Sequence, residues 1–346
     1  MRIAALAAAL TLAAALPVGA QSPDPRLSEV RGRSGINALP LLQAAADNVS
    51  HLPGMRKLNI QRMPTQDTVK RFCEVTDPLE ETHVFMTLRR MKVDEFKNCL
   101  LHGTRDMVEL RLGRSAIALV NGVDGPVFDV TTRELYHGIA AQVPVHGKLD
   151  KNASASWKDI NKKFPEWPIS VIVPIPASGL RPVFDGLVMQ EGCRGVPEID
   201  AIFMSAPRVL ACTTLRPDGK VVEMPGHTPE AMQHIADPKT PVIGFVSMRI
   251  LQENGNLLHA FPINGVKPTV ETIQNESYPL TLSIYAYVKR DAVSRLPGLR
   301  ALMTELTSER AIGPSGYMVS HGITPLSEEG RREVRRDAHN LRKFSR

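Results

Sequence analysis

The sequence is poor in aromatic residues and in cysteine, and it has no long apolar run beyond its first twenty residues. Aromatic residues make up 5% of the 346 positions, and there are four cysteines. The rest of the composition, with 43% hydrophobic and 23% charged residues, is that of an ordinary globular protein, which excludes a disordered, collagen-like or coiled-coil chain. The length predicts about two domains.

Motifs of the common hydrolases and metalloenzymes are also absent. Gly32–Gly35 and Gly313–Gly316 each contain a serine, but neither has the G-x-S-x-G pattern of a nucleophile elbow. The ten histidines include no H-E-x-x-H pair, and the chain has no C-x-x-C motif. We therefore predict a protein that is not an enzyme and has no cofactor and no metal site. The net charge of +6 is small for this length, so no nucleic-acid partner is predicted.

The first twenty residues have the pattern of a secretory signal peptide. Met1-Arg2 is followed by the stretch Ile3–Leu16, which is apolar apart from Thr11, and then by Pro17 and the small residues Val18-Gly19-Ala20. Fourteen residues are too few to span a bilayer, which needs about 20. We predict cleavage after Ala20 and export of a soluble chain that begins at residue 21.

Export makes the cysteine pattern informative. An even number of cysteines in an oxidising compartment predicts two disulfides. The four residues allow three pairings, and their spacing favours the local pairs Cys73–Cys99 and Cys193–Cys212. Buried free thiols are the alternative.

Helical and strand patterns alternate along the mature chain. Short apolar runs predict strands, and apolar residues at helical spacing predict helices between them. The strand predicted at Ile169–Val173 is followed by Pro174–Gly179 and then by a helix that continues through Met189. Met107–Leu112 and Ala116–Val120 predict two more strands. Such alternation is typical of an α/β protein with mainly parallel sheets.

Several stretches, in a fixed order, together resemble one family. They are Leu88–Lys92 with Glu95, Phe96 and Cys99; Ser156–Ile160; Ser178–Arg181; Glu271–Ile273 with Tyr278–Leu280; Ile284–Lys289; and Gly316-Tyr317 with Gly322–Leu326. From about Val30 to the C-terminus the chain resembles the periplasmic phosphate-binding proteins of phosphate ABC transporters, in particular a cysteine-containing bacterial branch.

The resemblance implies a two-lobed type II periplasmic-binding-protein fold, the Venus flytrap, in which each lobe is a mainly parallel sheet flanked by helices. Residues 25–120 and 275–346 would form lobe one, and residues 121–274 lobe two, with crossings near 119–125 and 266–280. It further implies a periplasmic monomer that holds phosphate or a related oxyanion between the lobes and delivers it to a membrane permease.

The implied ligand residues come from both lobes. Ser178 and Gly179 would open a helix, where free N–H groups and the positive end of the helix dipole favour an anion. The alternative for Ser178 is a plain helix cap. The opposite wall would come from Arg33, Ser34 and Gly35, from Thr65, and from Arg89. Arg181 would either reach the anion or lie on the helix surface.

The chain departs from the family where hydroxyl donors are expected. Gly32–Gly35 has lost hydroxyl groups and gained Arg33, and Leu88 and Leu180 stand where the family has serine and threonine. In Met63–Thr68, Pro64 lacks an N–H and Asp67 would repel an anion. Arginines would then have to hold the ligand, and Arg62 and Arg90 join the basic candidates. Weaker phosphate binding is expected, and the alternative is a diverged paralogue that takes another small ligand or none and acts as a sensor, accessory or extracellular interaction protein.

Overall fold

The computed structural model describes residues 25–226, 228–239 and 241–345, so the predicted signal peptide, residues 1–20, lies outside the described residues. The strands are β1 (Arg31–Ser34), β2 (Asn59–Arg62), β3 (Val84–Thr87), β4 (Met107–Gly122), β5 (Gln142–Val145), β6 (Lys148–Lys151), β7 (Val171–Val173), β8 (Val221–Glu223), β9 (Ile243–Ser247), β10 (Leu258–Ala260) and β11 (Thr281–Lys289).

The α-helices are α1 (Leu39–Ser50), α2 (Thr65–Glu74), α3 (Val93–Leu101), α4 (Thr132–Ile139), α5 (Trp157–Ile160), α6 (Arg181–Phe184), α7 (Glu191–Cys193), α8 (Pro197–Asp200), α9 (Ser205–Thr213), α10 (Pro229–Ala236), α11 (Met248–Glu253), α12 (Val270–Gln274), α13 (Arg290–Arg295), α14 (Pro297–Leu306), α15 (Glu309–Ile312) and α16 (Glu328–His339). A π-helical segment, Asp185–Gln190, joins α6 to α7, and Pro25–Ser28 and Tyr317–His321 are 3₁₀ turns. None of the helices in these ranges is long and apolar enough to cross a membrane.

The main sheet has two parallel wings joined by antiparallel strands. Its order is β2-β1-β3-β11-β4-β9-β7-β8, and β10 adds to β4. The first wing is β1 with its parallel neighbours β2 and β3, and the second wing is β7 with its parallel neighbours β8 and β9. A separate hairpin pairs β5 with β6. Strands and helices alternate along the chain, so the predicted α/β class is confirmed.

Strand β4 connects the two wings. Met107–Ala116 pairs with β11, and Ile117–Val120 pairs with β9. The two strands predicted from the sequence are thus one, continuous through Gly113. A Cβ on Gly113 would lie 2.9 Å from the carbonyl oxygen of Thr324, so glycine is required for this close approach. The change of partners within β4 lies near the first predicted lobe boundary, and the division into 25–120 with 275–346 and 121–274 stays a prediction.

Both predicted disulfides are present. Cys73 on α2 is bonded to Cys99 on α3, and Cys193 on α7 is bonded to Cys212 on α9. All four side chains are buried. Each bridge therefore fastens two short helices together, and the prediction of local pairing is confirmed.

A buried charge network lies at the edge of the first wing where β1 and β3 begin. The Glu81 carboxylate receives hydrogen bonds from His83 Nε2 (3.1 Å), Lys289 Nζ (3.3 Å) and Arg295 Nη2 (3.2 Å). The backbone N–H of Arg31 donates to His83 Nδ1 at 2.9 Å. Because that N–H can only donate, His83 is neutral and carries its proton on Nε2.

The surroundings shift both pKa values downward. Burial alone would raise the pKa of Glu81, but the hydrogen bond from His83, with the charge of Lys289 and the hydrogen bond from Arg295, outweighs it and lowers the pKa to about 2. Burial lowers the pKa of His83, and the charges of Arg31 and Lys289 lower it further, against the opposing effect of Glu81.

Removal of either disulfide should destabilise the fold. The bridges close loops of 26 and 19 positions, and the chain-entropy model gives about 3 kcal/mol for each. Cys193→Ser combined with Cys212→Ser, and the same pair of changes at Cys73 and Cys99, should each lower the free energy of urea unfolding by about that amount. Non-reducing peptide maps of the parent check the pairing. Two results would contradict this expectation. One is a peptide that links Cys73 to Cys193, and the other is a urea-unfolding midpoint of the parent protein that does not change when reductant is added.

Acid should weaken the fold through His83. An unfolded histidine takes up a proton below about pH 6.5, whereas the folded His83 resists it, so the unfolding free energy should fall between pH 7 and pH 5. His83→Asn keeps an acceptor for the Arg31 N–H and should flatten this slope by up to about 1.4 kcal/mol per pH unit, the limit for one proton. His102→Asn, at an exposed histidine, is the control. If the unfolding free energy of His83→Asn depends on pH as steeply as that of the parent, the effect does not come from His83.

Candidate functional site

Three strand ends meet at one place, which we call the cleft. The turn Gly35–Ala38 follows β1 and leads into α1, Met63-Pro64 follows β2 and leads into α2, and Pro174–Leu180 follows β7 and leads into α6. The carboxyl ends of parallel strands are where open α/β sheets place their ligands. The first two segments belong to the first wing and the third to the second, so the cleft lies between the wings.

A hydrogen bond crosses the cleft. Asn37 Nδ2 donates to Ser178 Oγ at 3.3 Å, and the backbone N–H of Leu180 donates to the same oxygen at 3.2 Å. A hydroxyl oxygen accepts two hydrogen bonds and donates one. Both acceptor positions of Ser178 are therefore occupied, and its O–H remains available to donate to an acceptor in the cleft.

Backbone from both wings packs closely on Thr65. A Cβ placed on Gly35 would lie 2.8 Å from Thr65 Oγ1, and a Cβ on Gly179 would lie 3.0 Å from the same atom. Thr65 is the first residue of α2 and is buried. The structure thus brings together Gly35, Thr65, Ser178 and Gly179, four of the eight residues predicted for the site.

The helices that begin at the cleft lack side-chain caps. Ala38 precedes α1 and Pro64 precedes α2, and neither side chain accepts a hydrogen bond from its helix. The first N–H groups of a helix have no acceptor within the helix. At α1 the Leu39 N–H already donates to the carbonyl oxygen of Gly35 at 2.9 Å and Pro40 has no N–H, so most of the free donors belong to the first turn of α2. These donors, with the positive ends of the two helix dipoles, favour negative charge at this edge of the cleft, and the Asp67 carboxylate in the first turn of α2 opposes it.

The helix predicted to begin at Ser178 begins instead at Arg181. Ser178 N donates to the carbonyl oxygen of Ile175 at 2.9 Å, and Arg181 N donates to that of Ser178 at 3.1 Å, so residues 175–180 form turns. Two prolines, Pro174 and Pro176, restrict the backbone here. Ser178 therefore organises the turn as well as facing the cleft.

Arg33 and Ser34 make their contacts within the first wing. The Arg33 guanidinium donates to Thr82 Oγ1, and Thr82 precedes β3 at the end of the strand remote from the cleft. Burial, followed by the charges of Arg71 and Arg31, lowers the pKa of Arg33. The hydroxyl of Ser34 donates to the carbonyl oxygen of Met86 at 3.1 Å. Within the described residues, neither side chain is hydrogen-bonded to Thr65 or Ser178.

The other two predicted arginines are paired with carboxylates. Arg89 makes a bidentate pair with Glu95, at 2.8 and 2.6 Å, and Arg181 is bonded to Asp185 at 2.8 Å and to Glu223. Burial would raise the pKa of Glu95, but the hydrogen bonds from Arg89 and from the Lys92 backbone hold it below its ordinary value.

Arg89 and Arg181 also line different grooves. Arg89 lines an outer groove of about 710 Å³ together with Thr65 and Ser178, whereas Arg181 lines a separate groove with Leu210 and Glu223. Arg90, a further basic candidate, pairs with Glu109 and lies over the ring of Phe344.

Arg62 is the basic candidate that remains free. It is exposed, ends β2 and lines a cavity of about 190 Å³ between the wings that is open to solvent, since its lining residues are half-buried or exposed; we call it the inner cavity. Within the described part of the chain, its guanidinium has no hydrogen bond or ion pair. The rest of the lining comprises Ile36, Met63, Pro64, Ile175, Ala177, Ser178 and Pro225.

Asn37 is the cleft residue that the sequence analysis missed. An asparagine in a turn is typical of turn geometry alone, and its partner Ser178 is 141 positions away. The described residues include no group of three or more His, Cys, Asp or Glu side chains that could hold a metal ion.

Comparison with known proteins gives one family and one fold. Residues 19–310 match the family described as a PBP superfamily domain. Protein SphX of Synechococcus elongatus is 24% identical over 300 residues, covering 85% of this chain and 75% of SphX. The structure of "a possible phosphate binding protein" from Planctomyces limnophilus is similar with a TM-score of 0.60 at 19% identity, covering 91% of this chain and 99% of the other. "An ABC-type phosphate transport receptor" from Vibrio cholerae has a TM-score of 0.60 at 17% identity, covering 86% and 100%.

The structural similarity confirms the predicted two-lobed type II fold, with a sheet wing in each lobe. The family match extends over most of the sequence and includes every segment that forms the cleft. The chain therefore belongs to the PBP superfamily.

Proposed function

We propose that this protein is an exported solute-binding protein that captures phosphate or a related oxyanion between its lobes and presents it to the membrane permease of an ABC transporter. It would work in the periplasm as a monomer and would perform no chemistry on the ligand. The observation that carries the proposal is the convergence, in one cleft, of two uncapped helix starts with the free O–H of Ser178.

Each of these groups is suited to an oxyanion. Uncapped N–H groups and hydroxyl groups donate to anionic oxygens in short hydrogen bonds that are stronger than those between neutral groups. Gly35 and Gly179 allow the backbone to approach closely on both sides of Thr65. The description of the Vibrio cholerae relative as a phosphate transport receptor supports the same ligand class.

The predicted arginines would contribute less than their number suggests. Arg89 is at the outer groove and would have to exchange Glu95 for a ligand oxygen. Arg33 and Arg181 would stabilise the structure around the cleft and would not bind the ligand, because Thr82, Asp185 and Glu223 already bind their guanidinium groups. Ser34 would likewise hold the turn that follows β1.

A second candidate function is favoured by the same contacts. The Asn37–Ser178 hydrogen bond joins the two sides of the cleft directly, and the arginines Arg89 and Arg181 are already paired with carboxylates. A diverged member that takes no small ligand, and acts as a sensor, accessory or interaction protein, would have these properties. Calorimetric titration with phosphate and sulfate separates the two, because only the first candidate predicts heat of binding.

Ser178→Ala should weaken oxyanion binding. The change removes the O–H donor, and a hydrogen bond to a charged group contributes roughly 1.5–3 kcal/mol, so the affinity for phosphate should fall about tenfold or more. Ser205→Ala, at the exposed serine that begins α9, is the matched control. Calorimetry of the two variants checks the expectation, and equal affinities would place the ligand elsewhere.

Gly179→Val should hold the lobes apart. Its Cβ would lie 3.0 Å from Thr65 Oγ1, and the extra methyl groups would force the cleft open. The variant should lose phosphate binding and show a larger radius of gyration by small-angle scattering. Gly186→Val is the control, because no atom lies within 4 Å of a Cβ at Gly186. Binding by Gly179→Val at the parental level would show that the cleft does not need this contact.

A further inference from the structure

We infer that the inner cavity of the cleft takes a small organic oxyanion with one negative charge and an apolar body, in preference to inorganic phosphate. The inference rests on the proposed function, since it names the ligand class of the same cleft. Its support comes from the lining of the cavity, its size, and the single free cation at its edge.

The lining is mostly apolar. Six of the eight residues are Ile36, Met63, Pro64, Ile175, Ala177 and Pro225. Two of these are prolines, which have no N–H to donate. Inorganic phosphate carries oxygen on every side, and each oxygen that faces the apolar wall loses water there without gaining a donor, which costs free energy. A ligand that is polar at one end and apolar at the other matches this wall better.

The volume fits a ring with a charged group attached. The cavity measures about 190 Å³. An apolar cavity of about 150 Å³ accepts a benzene ring, so the present one has room for a six-membered ring, with the oxyanion directed toward the polar edge. That edge consists of Ser178 and Arg62.

The charges at the cavity favour a monoanion. Arg62 is the one arginine in its lining, and within the described residues it has no partner. The other arginines near the cleft are engaged: Arg89 with Glu95, and Arg181 with Asp185 and Glu223. One cation with one hydroxyl donor balances a carboxylate or a sulfonate, and a second negative charge would be left uncompensated.

Four probes distinguish the contribution of the charged head group to binding from that of the apolar body. Benzoate and benzenesulfonate have both, benzamide has the body without the charge, and inorganic phosphate has charge without the body. Calorimetric titration of the mature protein should give benzoate or benzenesulfonate an affinity at least tenfold above those of phosphate and benzamide. An affinity for phosphate equal to or above that of both aromatic anions would overturn the inference.

Two variants test the assignment of the residues. Arg62→Gln should lower the affinity for the aromatic anions at least tenfold and leave the weak binding of benzamide unchanged. Arg105→Gln, at an exposed arginine that precedes β4, is the matched control and should bind like the parent. Ala177→Phe, also at an exposed position, should fill the cavity and abolish binding of the ring while the melting temperature is maintained. Parental affinity for benzoate in both site variants would place the ligand outside this cavity.

The outcomes also distinguish this inference from the proposed function. Phosphate binding that is sensitive to Ser178→Ala, with no response to the aromatic anions, would overturn the inference and leave the proposed function standing. No heat from any of the probes would overturn both, and the accessory-protein candidate would take their place.

Discussion

The hydrogen bonding of β4 to β11 on one side and to β9 on the other fixes the relation between the two sides of the cleft. Its first part pairs with β11 and its second with β9, so one continuous backbone positions β1–β3 on one side and β7–β9 on the other. Because β1, β2 and β7 each end at the cleft, the sheet itself brings together the turns that follow these three strands. The Asn37–Ser178 hydrogen bond and the packing on Thr65 depend on that placement.

Charge compensation decides which side chains remain for a ligand. A partly buried guanidinium is costly unless an acceptor or a carboxylate satisfies it. Arg89 and Arg181 have such carboxylates close by, and Arg33 donates to a threonine hydroxyl. Among the described residues, the arginine charge near the cleft is thus largely compensated by the protein itself. What remains is the exposed Arg62, the lysines Lys70 and Lys92 of the outer groove, one hydroxyl hydrogen and the backbone donors at the helix starts.

Local sequence patterns predicted the strands and the disulfides. They did not predict the contacts between residues that are far apart along the chain. Apolar runs indicated the strands, and cysteine spacing indicated bridges between helices that lie close along the chain. The fusion of two predicted strands into β4 depends on Gly113 passing close to Thr324, over two hundred positions away. Arg181 is neutralised by Glu223 from 42 positions away, and Asn37 meets Ser178 across 141. No periodicity in the sequence records such partners, so the type of site was predictable and the state of its charges was not.

The contact that joins the lobes also prepares the donor of the site. Asn37 and the Leu180 N–H both donate to Ser178 Oγ, which polarises the hydroxyl and leaves its hydrogen as the one group it can offer. An acceptor in the cleft would therefore add to the Asn37–Ser178 bond without displacing it. Ligand binding and lobe contact would then stabilise each other, because each strengthens the hydrogen bond that the other makes to the same hydroxyl. A ligand with one charged end needs only this donor and the adjacent cation, whereas a fully hydrogen-bonded inorganic anion needs more donors than the apolar walls of the cavity provide.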